Sequence, residues 1–148
     1  MLVTLLVALV GCLVRITALR GAAAPRALLV AAAISRCGAQ VVTTLAGNST
    51  AGFFDATGAS AQFNFPYGVA VDASGNVIVA DADNHRIRKV TPGGVVTTLA
   101  GSTFGFFDAT GAMAQLGRPL GVAVDASGNV IVADTISNRI RKLHQAVW

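Results

Sequence analysis

Asp81, Asp83 and His85 alternate along one short segment and are the residues best suited to chemistry. Carboxylate oxygens and an imidazole nitrogen are ligands that a divalent metal such as zinc can use. The corresponding segment 53 residues later keeps only the first aspartate, as Asp134. A calcium loop of the EF-hand type is excluded because no Gly and no Glu follow at the required spacing. We therefore expect no metal site, and we expect His85 to be a solvated or hydrogen-bonded loop residue.

Six basic side chains form a second candidate site, a stripe that could bind phosphate groups. They recur as two matching triplets: Arg86, Arg88 and Lys89, then Arg139, Arg141 and Lys142. Aspartates lie close to both triplets in the sequence and would weaken the phosphate attraction that dominates affinity for nucleic acid. The net charge of +4 arises elsewhere, from Arg15, Arg20, Arg26 and Arg36. We therefore expect no nucleic-acid partner, and RNA binding stays an alternative.

Sequence motifs of catalysis are missing. The chain has no nucleophile elbow, no P-loop and no metalloprotease helix. All seven acidic residues are aspartates, so the glutamic acid that often serves as a general acid with a raised pKa is absent as well. These observations predict a protein that is not an enzyme and that needs no cofactor.

Residues 1–40 form a hydrophobic leader that contains arginines and both cysteines, Cys12 and Cys37. Its first 14 residues, Met1–Val14, are a nearly unbroken apolar run. A membrane-spanning helix needs roughly 20. Three interpretations stay open: an export or targeting segment, a short membrane anchor, or a misassigned translation start. The sequence does not name a compartment. We expect secretion or membrane association only if the leader is functional. Any contact with a membrane is expected to involve the leader alone.

The rest of the chain, residues 41–148, contains an internal repeat. Pro66–Val90 reads PYGVAVDASGNVIVADADNHRIRKV and Pro119–Leu143 reads PLGVAVDASGNVIVADTISNRIRKL, with 19 of 25 positions identical. The flanking segments VVTTLAG and GFFDATGA also occur twice. Such self-similarity at a fixed period is the signature of a repeat architecture.

Each unit predicts four short strands, named A to D in chain order, because apolar alternation and apolar runs are separated by turn residues. Asp72–Gly75 suits a tight turn, and Pro92-Gly93 suits the centre of a type II turn. The predicted strands are Tyr67–Asp72, Asn76–Asp81, Arg86–Thr91 and Val95–Leu99 in the first unit, Leu120–Asp125, Asn129–Asp134 and Arg139–Leu143 in the second, and a preceding D strand at Val41–Leu45.

Four-stranded antiparallel units at this period indicate a β-propeller, with a solenoid as the alternative. The segment GFFDATGASAQFNF followed by PYGVAVDASGNVIVADADNHRIRKV resembles the NHL repeat, with Asn84-His85-Arg86-Ile87 at its characteristic position. The resemblance implies an all-β propeller, usually six-bladed, in which Asp81 and Asp134 tie a loop. It also makes two alternative functions possible, a metal-dependent enzyme of the lyase or lactonase type and an RNA-binding domain.

About two blades fit in this chain, and two blades cannot close a ring. Open blades would expose apolar sheet faces, so we expect either a fragment of a larger propeller or a self-assembling ring. In the second case three copies would form six blades, each copy contributing Val41–Leu45 to a neighbouring blade. Phe53, Phe54, Phe106 and Phe107 are expected to pack between blades rather than to contact a ligand.

We predict that the chain is a non-enzymatic scaffold for a protein or peptide ligand. The copies differ mainly in the B–C loop, and exposed loops on a rigid scaffold are where binding usually occurs. The B–C and D–A loops are expected on one face. Candidate contacts on it are Phe53, Asp83, Asn84, His85, Ile136, Ser137 and Asn138.

Overall fold

The computed structural model of the chain describes residues 3–9, 12–18 and 40–144, in two compact units, Met1–Val42 and Thr43–Trp148. In the first unit, β1 (Val3–Leu9) pairs antiparallel with β2 (Cys12–Ala18). Among the described residues, no helix is long and apolar enough to cross a membrane. Residues 19–39 of the leader, which include Cys37, lie outside the described residues. The interpretations of the leader as a signal, a targeting segment or an anchor stay predictions.

The second unit contains two antiparallel sheets, which we call blade 1 and blade 2. Blade 1 has the order β3-β4-β5-β6 and blade 2 the order β7-β8-β9. Their strands are β3 (Pro66–Val71), β4 (Val77–Asp81), β5 (Arg86–Val90), β6 (Val96–Ala100), β7 (Pro119–Val124), β8 (Val130–Asp134) and β9 (Arg139–Leu143). The predicted all-β class, with two antiparallel propeller blades in one chain, is confirmed.

One predicted strand is wrong. Val41–Leu45 was expected as a D strand, yet residues 40–45 have no regular secondary structure, and the side chains of Val41 and Val42 are 81% and 95% exposed. A D strand needs a C strand beside it to satisfy its backbone groups. Among residues 40–144, no such strand precedes blade 1.

The apolar core lies on both faces of β4, as the continuous apolar run predicts. On one face, Ile78 and Ala80 of β4 pack with Val132 of blade 2, and all three are at most 2% exposed. On the other face, Val79 packs with Val96 of β6. Ile78 and Val132 join the two sheets, so burial between the blades stabilises their relative position in this unit.

The A–B turns are held by their first aspartate. In blade 1, Asp72 Oδ1 accepts hydrogen bonds from the backbone N–H groups of Ser74 and Asn76, at 2.9 and 2.8 Å. Gly75 has a φ of 79°, a conformation that other residues adopt rarely. Asp125 holds the identical turn of blade 2 in the same way. The predicted turn is confirmed.

The C–D turn of blade 1 differs from the prediction. A type II turn would give Gly93 a positive φ. Instead Gly94 has a φ of 80° and donates its N–H to the carbonyl of Thr91 at 2.8 Å. The left-handed residue therefore follows the turn, because the bonds from Gly58 N–H to Gly94 O and from Thr91 to Val95 fix the chain at that point.

The A–B turns predict an acid-labile stability. Hydrogen bonds from Asn129 lower the pKa of Asp125 from 3.8 to about 2, and Asn76 likewise lowers the pKa of Asp72. Carboxylates with a lowered folded pKa stabilise the fold above their unfolded pKa, and this contribution is lost as the pH falls through the folded value. The free energy of unfolding should therefore decrease between about pH 4 and pH 2, measured by urea unfolding. The Asp72→Asn/Asp125→Asn variant should lose less over this interval, and an unchanged pH dependence would contradict the assignment.

Gly68 predicts a second stability difference, at the contact between blades. A Cβ on Gly68 would lie 2.3 Å from the backbone oxygen of Leu120 in blade 2, which is too close. Gly121, at the same position of the second repeat, would place a Cβ 3.3 Å from the Ala133 side chain. Gly68→Ala should therefore destabilise the protein by about 1–3 kcal/mol and Gly121→Ala by clearly less. Urea unfolding of the two variants measures this, and equal losses would show that the blades do not pack this closely.

Candidate functional site

The candidate site is the face formed by the B–C loops and the first part of each D–A loop, which we call the loop face. In blade 1 the Asn84 side chain donates to the carbonyl of Gly52 at 2.8 Å, and in blade 2 Ser137 Oγ donates to the carbonyl of Gly105 at 3.3 Å. These bonds bring the two loops together, as predicted. The rest of the D–A loop leaves this face, since Gly58 N–H donates to Gly94 O at the C–D turn.

Asn84 supports the fold as well as lying on the loop face. Its Nδ2 also donates to Asp81 Oδ2 at 2.8 Å, and its side chain is half-buried. Asp81 Oδ1 accepts from the backbone N–H of Asn64 at 2.8 Å. The loop-tying role that the family resemblance implies for Asp81 is therefore confirmed. Asp134 does the same in blade 2 by accepting from Gly117 N–H at 2.5 Å.

Asp83 and His85 contact blade 2. Asp83 Oδ1 pairs with Arg118 Nε at 2.8 Å, and His85 Nδ1 accepts the Arg118 N–H at 3.2 Å. The His85 ring also lies edge-on to Phe104, with the centroids 5.5 Å apart. Burial lowers the pKa of His85, which keeps Nδ1 available as an acceptor. The expectation of a hydrogen-bonded loop residue is confirmed for His85, whose partner belongs to the neighbouring blade.

The corresponding loop of blade 2 is more exposed. Ile136 replaces Asp83 and is 51% exposed, and Asn138 replaces His85. Asn138 is exposed and shares the left-handed conformation of His85, with φ values of 51° and 56°. Neither side chain contacts another blade among the described residues. The predicted binding role of these loop residues stays a prediction.

An arginine lies over a phenylalanine on the loop face of each blade. The guanidinium of Arg86 is 3.7 Å from the ring centre of Phe53, and that of Arg139 is 4.6 Å from Phe106. The two rings are 43% and 63% exposed. Such pairs combine a cation with an apolar surface. The same arrangement occurs at equivalent positions of both repeats.

The expectation that the four phenylalanines pack between blades is wrong. Phe54 and Phe107 are 56% and 62% exposed, in addition to the two rings over arginines. The reason is the orientation of the loop backbone. The carbonyl of Phe54 and the carboxylate of Asp55 both turn inward to the same guanidinium, so the Phe54 side chain points outward.

That guanidinium belongs to Arg88, which is fully buried. It donates to Asp55 Oδ1 at 3.0 and 2.5 Å, to Asp81 Oδ2 at 2.6 Å, and to the carbonyls of Gln62 and Phe54 at 3.1 Å each. These five bonds use all five donors of an arginine. Arg88 therefore joins β4, β5 and two parts of the D–A loop.

Arg141 repeats the network in blade 2. It pairs with Asp134 at 3.0 Å and with Asp108, and it donates to the carbonyls of Gln115 and Phe107 at 3.2 Å each. Its side chain is 10% exposed, and that of Asp108 is 90% exposed. Both arginines were missed as structural residues by the sequence analysis. Their recurrence two residues into strand C, diagonal to Asp81 or Asp134, is the signal that could have identified them.

These networks engage side chains from both chemical sites considered first. Of the six basic residues of the predicted stripe, Arg88 and Arg141 point into the protein and Lys142 pairs with Asp125 at 3.3 Å, so these three do not belong to an exposed stripe. The Asp81 side chain turns to Arg88, whereas Asp83 and His85 bind the side chain and the backbone N–H of Arg118. In the described part of the chain, no three side chains of the His, Cys, Asp and Glu types come together as metal ligands would.

The geometry of both blades agrees with a family of known repeats. The NHL repeat model matches residues 63–90 and 116–143, each of which covers the first three strands of a blade. The chain contains two NHL repeats. Protein SUPPRESSOR OF QUENCHING 1, chloroplastic, of Arabidopsis thaliana is 38% identical to the NHL-repeat chain over 89 residues, which are 59% of this chain and 8% of the plant protein.

Solved bacterial structures resemble the two NHL blades. An auxiliary nutrient binding protein from Bacteroides thetaiotaomicron is 27% identical with a TM-score of 0.57, over 66% of this chain and 27% of that one. A protein of unknown function from the same organism is 26% identical with a TM-score of 0.62, over 67% and 26%. The NHL-repeat chain thus spans about a quarter of these solved chains and a much smaller part of the plant protein.

The buried guanidinium predicts a large and asymmetric effect of mutation. Arg88→Met would leave the fully buried Asp81 carboxylate without its cation, and breaking a buried pair in this way costs about 3–5 kcal/mol. Arg141→Met should cost less, because Asp108 in its network is largely exposed to water. Urea unfolding followed by circular dichroism compares the two variants. Equal losses, or a loss from Arg88→Met below about 1 kcal/mol, would contradict the central role of Arg88.

Proposed function

We propose that this NHL-repeat chain is a non-enzymatic binding module whose loop face receives a protein or peptide segment. The observation that carries the proposal is the arginine and phenylalanine pair that recurs in each blade, half-buried Arg86 with exposed Phe53 and exposed Arg139 with exposed Phe106. Aromatic and arginine side chains are the residues that dominate binding energy at protein interfaces. Two such pairs on one face offer a repeated contact for an extended ligand.

The acidic side chains already serve the fold, although that of Asp108 is largely exposed, at 90%. A general acid or base must be available to a substrate. Here all seven aspartates accept hydrogen bonds within the fold. Two of them hold turns, one joins the blades, and four surround the buried arginines: Asp72 and Asp125, Asp83, and Asp55, Asp81, Asp108 and Asp134.

The chemistry of the pairs defines the ligand class. Each guanidinium can bind a carboxylate, and each exposed ring can pack against an apolar side chain. We therefore expect a peptide segment in which acidic and apolar residues are neighbours. The similar Bacteroides protein described as an auxiliary nutrient binding protein adds support for a binding role.

Selection of peptides on the purified full chain tests this function. Random peptides displayed on phage should yield ligands that contain Asp or Glu beside an apolar residue. The Phe53→Ala/Phe106→Ala variant should weaken their binding at least about tenfold in calorimetric titration, because truncating an aromatic hot spot costs 2 kcal/mol or more.

Phe54→Ala/Phe107→Ala is the matched control. It removes the same type of side chain one position later, where the rings are 56% and 62% exposed and neither pairs with an arginine. Its affinity should equal that of the unmodified protein. A selection without ligands, or equal weakening in both variants, would refute the loop face as the binding site.

A further inference from the structure

Strand β6 fills a slot in blade 1 that is open in blade 2. It pairs with β5 on one side, and on the other Val96 N–H donates to Ala56 O at 2.8 Å and Thr98 N–H donates to Asp55 Oδ2 at 3.0 Å. In blade 2 the equivalent space is a groove of about 660 Å³ between β9 and residues 108–111. No strand among residues 40–144 occupies it. Its lining residues, 108–111 and 139–143, correspond to residues 55–58 and 86–90, which flank β6 in blade 1.

The chain contains a second segment with the sequence of the β6 region. Val41–Gly47 and Val95–Gly101 both read VVTTLAG. Val42 is 95% exposed, whereas its counterpart Val96 in β6 is 2% exposed. The first valines of this sequence are therefore exposed at Val41 and Val42, although the second valine is buried where the sequence recurs in β6.

Val41–Gly47 is linked to the loop that precedes blade 1 in the same way as the β6 region is linked to the loop that precedes blade 2. Gly47 N–H donates to Gly58 O at 3.0 Å, and Gly101 N–H donates to Gly111 O at 3.2 Å. Gly47 and Gly101 have φ values of 100° and 96°. The segment is thus placed to be the fourth strand of a blade that lies before blade 1.

The outer faces of the two blades match the buried faces between them. Val122 and Val124 of β7 pack against the core shared with blade 1, while their counterparts Val69 and Val71 of β3 are 65% and 63% exposed. On the opposite side, Ile87 is fully buried and its counterpart Ile140 is 74% exposed. The open face of blade 2 therefore corresponds to the side that blade 1 contributes to the contact between the blades. The open face of blade 1 likewise corresponds to the side that blade 2 contributes.

One difference between the inner and outer contacts identifies the partner. Within the chain, Asp83 of blade 1 pairs with Arg118 of blade 2. At the outer faces the corresponding positions are Ile136 and Phe65, both apolar and 51% and 54% exposed. The Phe65 ring already lies under the guanidinium of Arg118, 5.3 Å from its centre, so an apolar partner adds no second charge that would have to be desolvated there. Ile136 therefore fits the Phe65 of a second copy.

We propose that copies of this chain assemble head to tail, with Val41–Gly47 of one copy inserted as the fourth strand of blade 2 in its neighbour. Each junction pairs backbone groups in the groove and buries Val42 and Ile140. Three copies would contain six blades, the number that the NHL resemblance implies, and a closed ring leaves no open contact. The proposal does not depend on a ligand of the loop face.

Light scattering coupled to size exclusion of the full chain tests the assembly. The expected mass is three times the 15.0 kDa of one chain. Thr44→Pro should abolish the assembly, because Thr44 corresponds to Thr98 and proline removes the N–H that Thr98 donates to Asp55. Gln40→Pro is the matched control, since it places the same residue outside the repeated segment, and its mass should stay that of the unmodified protein.

A charge exchange at the outer contact keeps the test independent of folding defects. Ile136→Asp alone and Phe65→Arg alone should each weaken the assembly by roughly two- to fivefold, since each leaves one charge unpaired at a contact whose counterpart, Asp83 with Arg118, is partly exposed at 37% and 40%. The double variant recreates the Asp83 and Arg118 pair and should restore the mass. Phe65 and Arg118 share φ values of 54° and 56°, so the backbone accepts either residue.

Two results would overturn the proposal. The first is a folded monomer of the unmodified chain at about 100 μM, well above the dissociation constant expected of a specific interface. The second is an assembly whose mass Thr44→Pro leaves unchanged, which would assign association to another part of the chain. Failure of the peptide selection would leave both measurements unaffected, so the two proposals can be judged separately.

Discussion

The buried guanidinium of Arg88 is the constraint on which blade 1 depends. A fully buried arginine is tolerated only when its charge and all its donors are satisfied. Two carboxylates and two backbone carbonyls meet this requirement. They come from the end of β4 and from both sides of the long D–A loop. One side chain thereby fixes a loop that has little regular secondary structure, and the same network recurs around Arg141.

This constraint determines which side chains face water. Because Asp55 and the Phe54 carbonyl turn inward, the neighbouring rings of Phe53 and Phe54 turn outward. Arg86, two residues before Arg88 on the same strand face, then covers the Phe53 ring. The apolar and cationic surface of the loop face is thus a consequence of the buried network. A binding surface that is fixed by the core loses little entropy when a ligand binds.

Much of the fold follows from the sequence, because strand alternation, turn residues and an internal repeat are local signals. The seven strands of the two blades and the Asp72 turn were predicted correctly in this way, whereas the loop-tying role of Asp81 was implied by the family resemblance. The burial of Arg88 was not, since it depends on carboxylates that are distant in the chain. The wrong predictions for Phe54 and for Val41–Leu45 have the same cause, because the structure at both places depends on which element lies beside the segment. The local sequence does not contain that information.

The exchange of the guanidinium protons with water, measured by nuclear magnetic resonance on the full chain near neutral pH, tests the central claim most directly. Hydrogen-bonded, fully buried donors exchange slowly because exchange requires the structure to open. We expect resolved, slowly exchanging Nε and Nη protons for Arg88. Arg139, which is exposed, should exchange too fast to observe. Equally fast exchange at both arginines would show that Arg88 is open to water and that another interaction holds the loop.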